Sequence, residues 1–165
     1  MMIQNNDLQQ QRALFMRRAI DISGEKMHEN HGGPFGAVIV RDGKIIAEGW
    51  NRVTSGNDPT AHAEVTAIRN ACAALGNFSL EGCEIYSSCE PCPMCLAAIY
   101  WAGLDRLFYA NTREDAAKIG FDDDFIYGEL AKPEDKRALP AKMLLRDEAQ
   151  IIFKEWEKKP DKIPY

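Results

Sequence analysis

The chain has 165 residues, enough for about one domain with its own hydrophobic core and no need of disulfide staples. Its formal charge is −5, with 25 Asp and Glu against 20 Lys and Arg. This weighs against a broad phosphate-binding surface, because affinity for nucleic acid comes mostly from Lys and Arg. Five cysteines, an odd number, follow a polar start with no apolar signal core, and this pattern points to a reducing cytosol and to metal use. The longest uncharged apolar stretch, residues 91–104, is too short to cross a bilayer.

Leu8, Leu14, Phe15, Arg18, Ala19 and Ile22 fall at helical spacing and predict a first helix over Asp7–Met27 that covers one face of a sheet. Residues 36–40 and 44–50 are β-branched runs joined at Asp42-Gly43, a dipeptide suited to a tight hairpin, and predict two antiparallel strands. Residues 53–59 read as a loop, after which Thr60 can cap a helix running to Leu75, with Gly76 just past its end. Strands over 83–88 and 104–110 flank a helix over 93–102, an order that implies parallel crossovers and helices on both sheet faces. Beyond Asn111 the pattern predicts short helices near 114–119 and 125–130, a fifth strand at 142–146 and a last helix over 148–158. The expectation is therefore one α/β domain over 1–165, with a proline-containing tail at 159–165.

The chemistry concentrates in His62-Ala63-Glu64 and, thirty residues on, Pro91-Cys92-Pro93-Met94-Cys95. His62, Cys92 and Cys95 are three ligands for one zinc ion. A structural zinc is normally closed by four protein ligands, whereas a catalytic one keeps a position for water. Cys92 and Cys95 open a helix whose N-terminus favours thiolates. With two thiolates the zinc is a weak Lewis acid, so a nearby proton acceptor gains value, and Glu64 suits that role. One geometric difficulty stands: residues i and i+2 do not share a helix face, so the metal must sit over the helix start.

Other readings compete. Cys89 extends the motif to Cys-x-x-Cys-x-x-Cys, which admits an iron–sulfur cluster, although no fourth nearby cysteine completes the ferredoxin run. A closed structural zinc with Cys89, Cys83 or His31 as fourth ligand makes the protein a non-catalytic module. His28 and His31 read as cap or solvated residues, Cys72, Met94 and Trp101 as packing, and Asp122 to Asp124 as a surface turn.

With these motifs placed, the chain resembles the cytidine deaminase superfamily, and more narrowly its short zinc-dependent guanine deaminases. The resemblance rests on residues 32–40, 57–69, 88–95, 99–102, Gly120-Phe121-Asp122-Asp123 and the final tyrosine. It implies a three-layer α/β/α fold with a mixed sheet of about five strands and one Zn²⁺ per chain held by His62, Cys92 and Cys95. It further implies Glu64 as proton shuttle, Asp123 assisting at the amino edge of a purine, and Asn51, the Ala63 backbone, Phe35 and Phe121 around the base. Tyr165 corresponds to a tyrosine that closes the site, in some relatives from the partner of a domain-swapped dimer.

The implied activity is hydrolysis of guanine to xanthine and ammonia by a cytoplasmic homodimer acting on a small purine, with no membrane or nucleic-acid partner. A guanosine or deoxyguanosine deaminase is the near alternative. A transfer-RNA adenosine deaminase fits less well, since residues 150–165 carry only four lysines against three acids.

Overall fold

The computed structural model describes residues 2–164, with residues 2–6 described by backbone alone. By its contacts the chain falls into two compact units, residues 1–123 and 124–165. The first unit contains helix α1 (Met2–His28), the hairpin β1 (Gly36–Arg41) and β2 (Lys44–Trp50), and a short helical turn α2 (Val53–Gly56). It continues through α3 (Ala63–Leu75), β3 (Cys83–Cys89), α4 (Pro93–Trp101), β4 (Arg106–Asn111) and α5 (Arg113–Lys118).

The sheet order is β2-β1-β3-β4; β1 is antiparallel to both neighbours, and β3 is parallel to β4. Strands β2, β3 and β4 therefore run the same way, with α3 and α4 as successive crossovers. Right-handed crossovers that step in one direction across a sheet leave their helices on the same face. That face is closed by Ala37, Ile39 and Ile85 of the sheet against Ala63, Ala67 and Ala71 of α3 and Ile99 of α4. The strand alternation sends Val38, Val40 and Tyr86 to the opposite face, where Ala19 and Ile22 of α1 cover them. The result is the expected three-layer α/β/α arrangement, with β1 buried on both faces along nearly its whole length.

Two glycines allow the layers to approach closely. A Cβ at Gly49 of β2 would lie 2.3 Å from both the Ala63 carbonyl oxygen and the Ala67 nitrogen, so the first turn of α3 rests directly on the strand. A Cβ at Gly36 would lie 2.4 Å from the Ala19 carbonyl of α1. On the α1 face Tyr86 stacks on Phe108 at 4.7 Å, and its hydroxyl donates to Glu84, which also pairs with Arg12 and Arg106.

Two expectations, one about the strands and one about packing, fail here. The sheet of the described residues has four strands, not five. Residues 142–145 form no strand because Leu145 takes a left-handed conformation (φ 54°), and Arg146 already opens a helix whose first turn carries Asp147 and Glu148, favourable at its positive end. Trp101, expected to pack, is 74% exposed in this chain. The second unit comprises α6 (Asp124–Ala131), a 3-10 turn (Glu134–Lys136) and α7 (Arg146–Lys158).

Candidate active site

Strands β2 and β3 end at the same edge of the sheet, and from that edge α3 and α4 begin. At such carboxyl ends, parallel strands deliver successive helix N-termini to one place. The expected Thr60 cap is not formed. Asp58 instead accepts from the Thr60 nitrogen (2.8 Å) and hydroxyl (2.7 Å), a local turn that delays the helix by two residues. His62 becomes the N-cap, in extended conformation (φ −69°, ψ 161°). This settles the i, i+2 difficulty: His62 stands outside the helix, so its ring and the Glu64 carboxyl need not share a helical face. Helix α4 repeats the device, with Cys92 at the N-cap (φ −64°, ψ 168°), Pro93 at the first helical position, where its missing N–H costs nothing, and Cys95 two residues further on.

The two helix starts bring three donors together. His62 Nδ1 lies 3.5 Å from Cys92 Sγ and 3.4 Å from Cys95 Sγ, and all three ligand atoms fall within 4.8 Å of one another. Tetrahedral zinc bonds of ordinary length separate a nitrogen and a sulfur ligand by about 3.5 Å, so the triangle has the size of a zinc site. The protonation chemistry agrees. The hydrogen bond from Cys95 drives the Cys92 thiol down to about 4, while that same bond and burial push Cys95 far up, so two sulfurs share one proton. A dication is the partner that lets both ionise. His62 is held above its ordinary value chiefly by its bond with Cys92.

Among the described residues the metal-capable group contains these three alone. Cys89 turns its sulfur to the Thr112 carbonyl (3.6 Å), Cys83 lies in the core, and His31 pairs with Glu29 at 3.2 Å. None of the three proposed fourth ligands joins the cluster.

Glu64, in the first turn of α3, is buried, with its carboxyl against the Cys95 sulfur, and burial raises its pKa. Its Oε1 accepts a 3.0 Å hydrogen bond from the Ser87 hydroxyl of β3. Sequence reasoning missed Ser87. Its one signal was polarity at a core-facing position, in register with Cys83 and Ile85.

Asn51, just past β2, is buried. Its Oδ1 accepts from the Gly33 and Val53 nitrogens (3.2 Å each), which fixes the carboxamide orientation and leaves Nδ2 with no partner among the described residues. A Cβ at Gly32 would lie 2.4 Å from that oxygen. Phe35 and Phe121 meet edge to face with ring centres 4.9 Å apart, and Ala63 is buried as the first residue of α3. The pKa of Asp123 is raised by burial and then by the charge of Cys92. Tyr165, the expected closing residue, lies outside the described residues.

Residues 9–111 match the family model of the cytidine and deoxycytidylate deaminase zinc-binding region. The guanine deaminase of Bacillus subtilis is 53% identical over 151 residues, 92% of this chain and 97% of that one. Its X-ray structure superposes with a TM-score of 0.90 at 52% identity, covering 93% of this chain and 98% of that one. A tRNA-specific adenosine deaminase of Agrobacterium fabrum is 46% identical over 99 residues, 60% of this chain and 64% of that one. A relative solved in complex with 2,6-diaminopurine superposes with a TM-score of 0.64 at 31% identity, over 92% of this chain and 83% of that one. The matched segment contains His62, Glu64, Cys92 and Cys95 and all four strands of the sheet, and the chain belongs to the zinc-dependent cytidine and deoxycytidylate deaminase family.

Proposed function

We propose that the protein hydrolyses guanine to xanthine and ammonia. The observation that carries this reading is the buried Glu64 carboxyl set against the His62, Cys92 and Cys95 triangle. The choice of guanine is supported by identity with a guanine deaminase along almost the entire length of both chains, where the transfer-RNA enzyme aligns over little more than half of this one.

His62, Cys92 and Cys95 hold one Zn²⁺, which when bound polarises a water and lowers its pKa. Glu64 takes a proton from the attacking water, and the oxygen adds to the amino-bearing carbon of the purine. The same carboxyl passes protons to the ring nitrogen and the departing amine, so that ammonia leaves and a carbonyl forms. A carboxyl whose pKa burial has raised gives and takes a proton more readily near neutral pH than an exposed one. Asn51 offers its unpartnered Nδ2 to the base, the Ala63 backbone lies beside it, Phe35 and Phe121 wall the ring, and Asp123 assists at the amino edge. The protein acts as a cytoplasmic homodimer. No helix among the described residues is long and apolar enough to cross a membrane.

Ammonia release over guanine, guanosine, deoxyguanosine, cytosine, cytidine, adenine and adenosine tests the substrate; preference for a nucleoside or a pyrimidine overturns guanine. Glu64→Gln is expected to lower turnover by about 10² or more with zinc content intact. Undiminished turnover in that variant removes the shuttle role.

A further inference from the structure

We infer that Ser87 is a positioning residue for the proton-transferring carboxyl of Glu64, an assignment that rests on the role just proposed for Glu64. The argument begins with the strand. Ser87 pairs with Ala37 of β1 on one side and Tyr109 of β4 on the other, so its backbone is held by both neighbours in the middle of the sheet. Its side chain points to the face that α3 and α4 cover, is 2% exposed, and donates to Glu64 Oε1 at 3.0 Å, its one side-chain hydrogen bond among the described residues. The adjacent Ser88 points the other way and accepts from the Gly36 nitrogen at 3.0 Å, a tie between strands. Two neighbouring serines thus divide into one that holds the scaffold and one that holds the carboxyl.

A carboxyl group turns easily about its last torsion, where the energy wells are broad and nearly two-fold. A shuttle that must collect a proton at one place and deliver it at another loses rate when that torsion wanders, since proton transfer needs hydrogen-bond geometry at both ends. Ser87 fastens Oε1 to the sheet and leaves Oε2 to carry the proton. The bond suits both states of the cycle: a carboxylate oxygen accepts from the hydroxyl, and so does the carbonyl oxygen of the protonated acid once the proton is on Oε2. Ser87 never exchanges its own proton and never touches the substrate. Its loss should therefore appear in kcat and not in KM.

The experiment is a double-mutant cycle read by ammonia release from guanine, with zinc content and Tm measured on every variant. Ser87→Ala is expected to lower kcat about tenfold, the scale of a buried hydrogen bond to an ionised group, with KM and zinc content unchanged and Tm lowered by no more than a few degrees. Ser87→Thr keeps the donor and is expected to retain most of kcat. In the Glu64→Gln background, where there is no proton shuttle left to orient, Ser87→Ala is expected to change the residual rate no further. Any general packing defect appears equally in both backgrounds, so the cycle decides even if the alanine variant is less stable. A wild-type kcat in Ser87→Ala, or the same fractional loss with and without Glu64, overturns the assignment. If the wild-type protein releases no ammonia from guanine, the functional reading falls first and takes this inference with it; turnover that is indifferent to Ser87 defeats the inference alone.

Discussion

Helix α5 and the pair α3 and α4 begin in opposite ways. At α5, Thr112 accepts from the Asp115 nitrogen and the Asp115 carboxyl accepts in return from the Thr112 nitrogen, so the exposed start is closed by a full capping box. At α3 and α4 the N-cap positions belong to His62 and Cys92, and neither side chain caps the helix. A good cap is worth about 1 kcal/mol, so the two site helices give up roughly that much each. They place positively polarised helix ends against sulfurs that must be thiolate. The difference teaches that these starts are arranged for chemistry and are held by packing, while an ordinary start in the same fold is held by its cap.

The sharpest way to break the comparison is to return the site helix to an ordinary cap. His62→Asn places one of the best N-cap residues at a backbone conformation already suited to it, φ −69° and ψ 161°. It is expected to abolish zinc binding and activity. In chelator-treated protein it should stabilise the fold by up to about 1 kcal/mol, measured by denaturant unfolding beside metal-free wild type. An equal or lower stability of the metal-free variant contradicts the idea that the cap was given up for the ligand.

If packing holds the α3 start, Gly49 is where it can be attacked. Gly49→Ala drives a methyl into the backbone of the first turn, at 2.3 Å from the Ala63 oxygen and the Ala67 nitrogen, where no flexible side chain can give way. Overpacking of this kind costs about 1–3 kcal/mol and here also displaces His62 and Glu64. Reduced stability and reduced activity should therefore appear together, the first by denaturation and the second by ammonia release. Thr112→Ala serves as the counterpart, removing an exposed cap. It should cost about 1 kcal/mol of stability while kcat for guanine stays at the wild-type value.

These contrasts also mark where the sequence stops being readable. Ligand types, their spacing and the strand–helix order around them follow from periodicity and from coordination chemistry, both local properties. His62, Cys92 and Cys95 were legible for that reason, and Gly76, a left-handed helix stop at φ 61°, for the same reason. Thr60 and His62 compete for one cap, and the winner is decided by Asp58, which binds Thr60 first; propensity alone favours the residue that lost. The 142–146 run has strand-like residues, but no strand among the described residues pairs with it and Leu145 turns left-handed. Ser87 reads as an ordinary strand residue until the register shows that its hydroxyl faces a carboxyl across the core. What remained illegible is competition between neighbouring residues for one local role, and pairing between segments far apart in the chain.

The opposite face of the same strand supplies the last and smallest test. Glu84 of β3 takes the Tyr86 hydroxyl at 2.7 Å and Arg106 at 2.9 Å, with Arg12 at 3.4 Å. Burial on its own would raise its pKa, but the bonds from Tyr86, Arg106 and Arg12 outweigh burial and hold the carboxyl below the ordinary glutamate value. A carboxylate with a lowered folded-state pKa contributes stability that is fully present above the unfolded pKa of about 4.3 and is lost as the pH falls through the folded value. Glu84→Gln should therefore cost about 0.5–1 kcal/mol at pH 7, where two arginines lose their shared anion, and progressively less below about pH 4, where wild-type Glu84 itself becomes neutral. Denaturant unfolding of both proteins at the two pH values measures the gap, and kcat at pH 7 should stay at the wild-type value because this network faces α1 and not the metal-binding helices. A penalty that persists undiminished in acid means that the side chain acts through packing and not through its charge, and the stabilising electrostatics of this fold must then be sought elsewhere than in the Glu84 cluster.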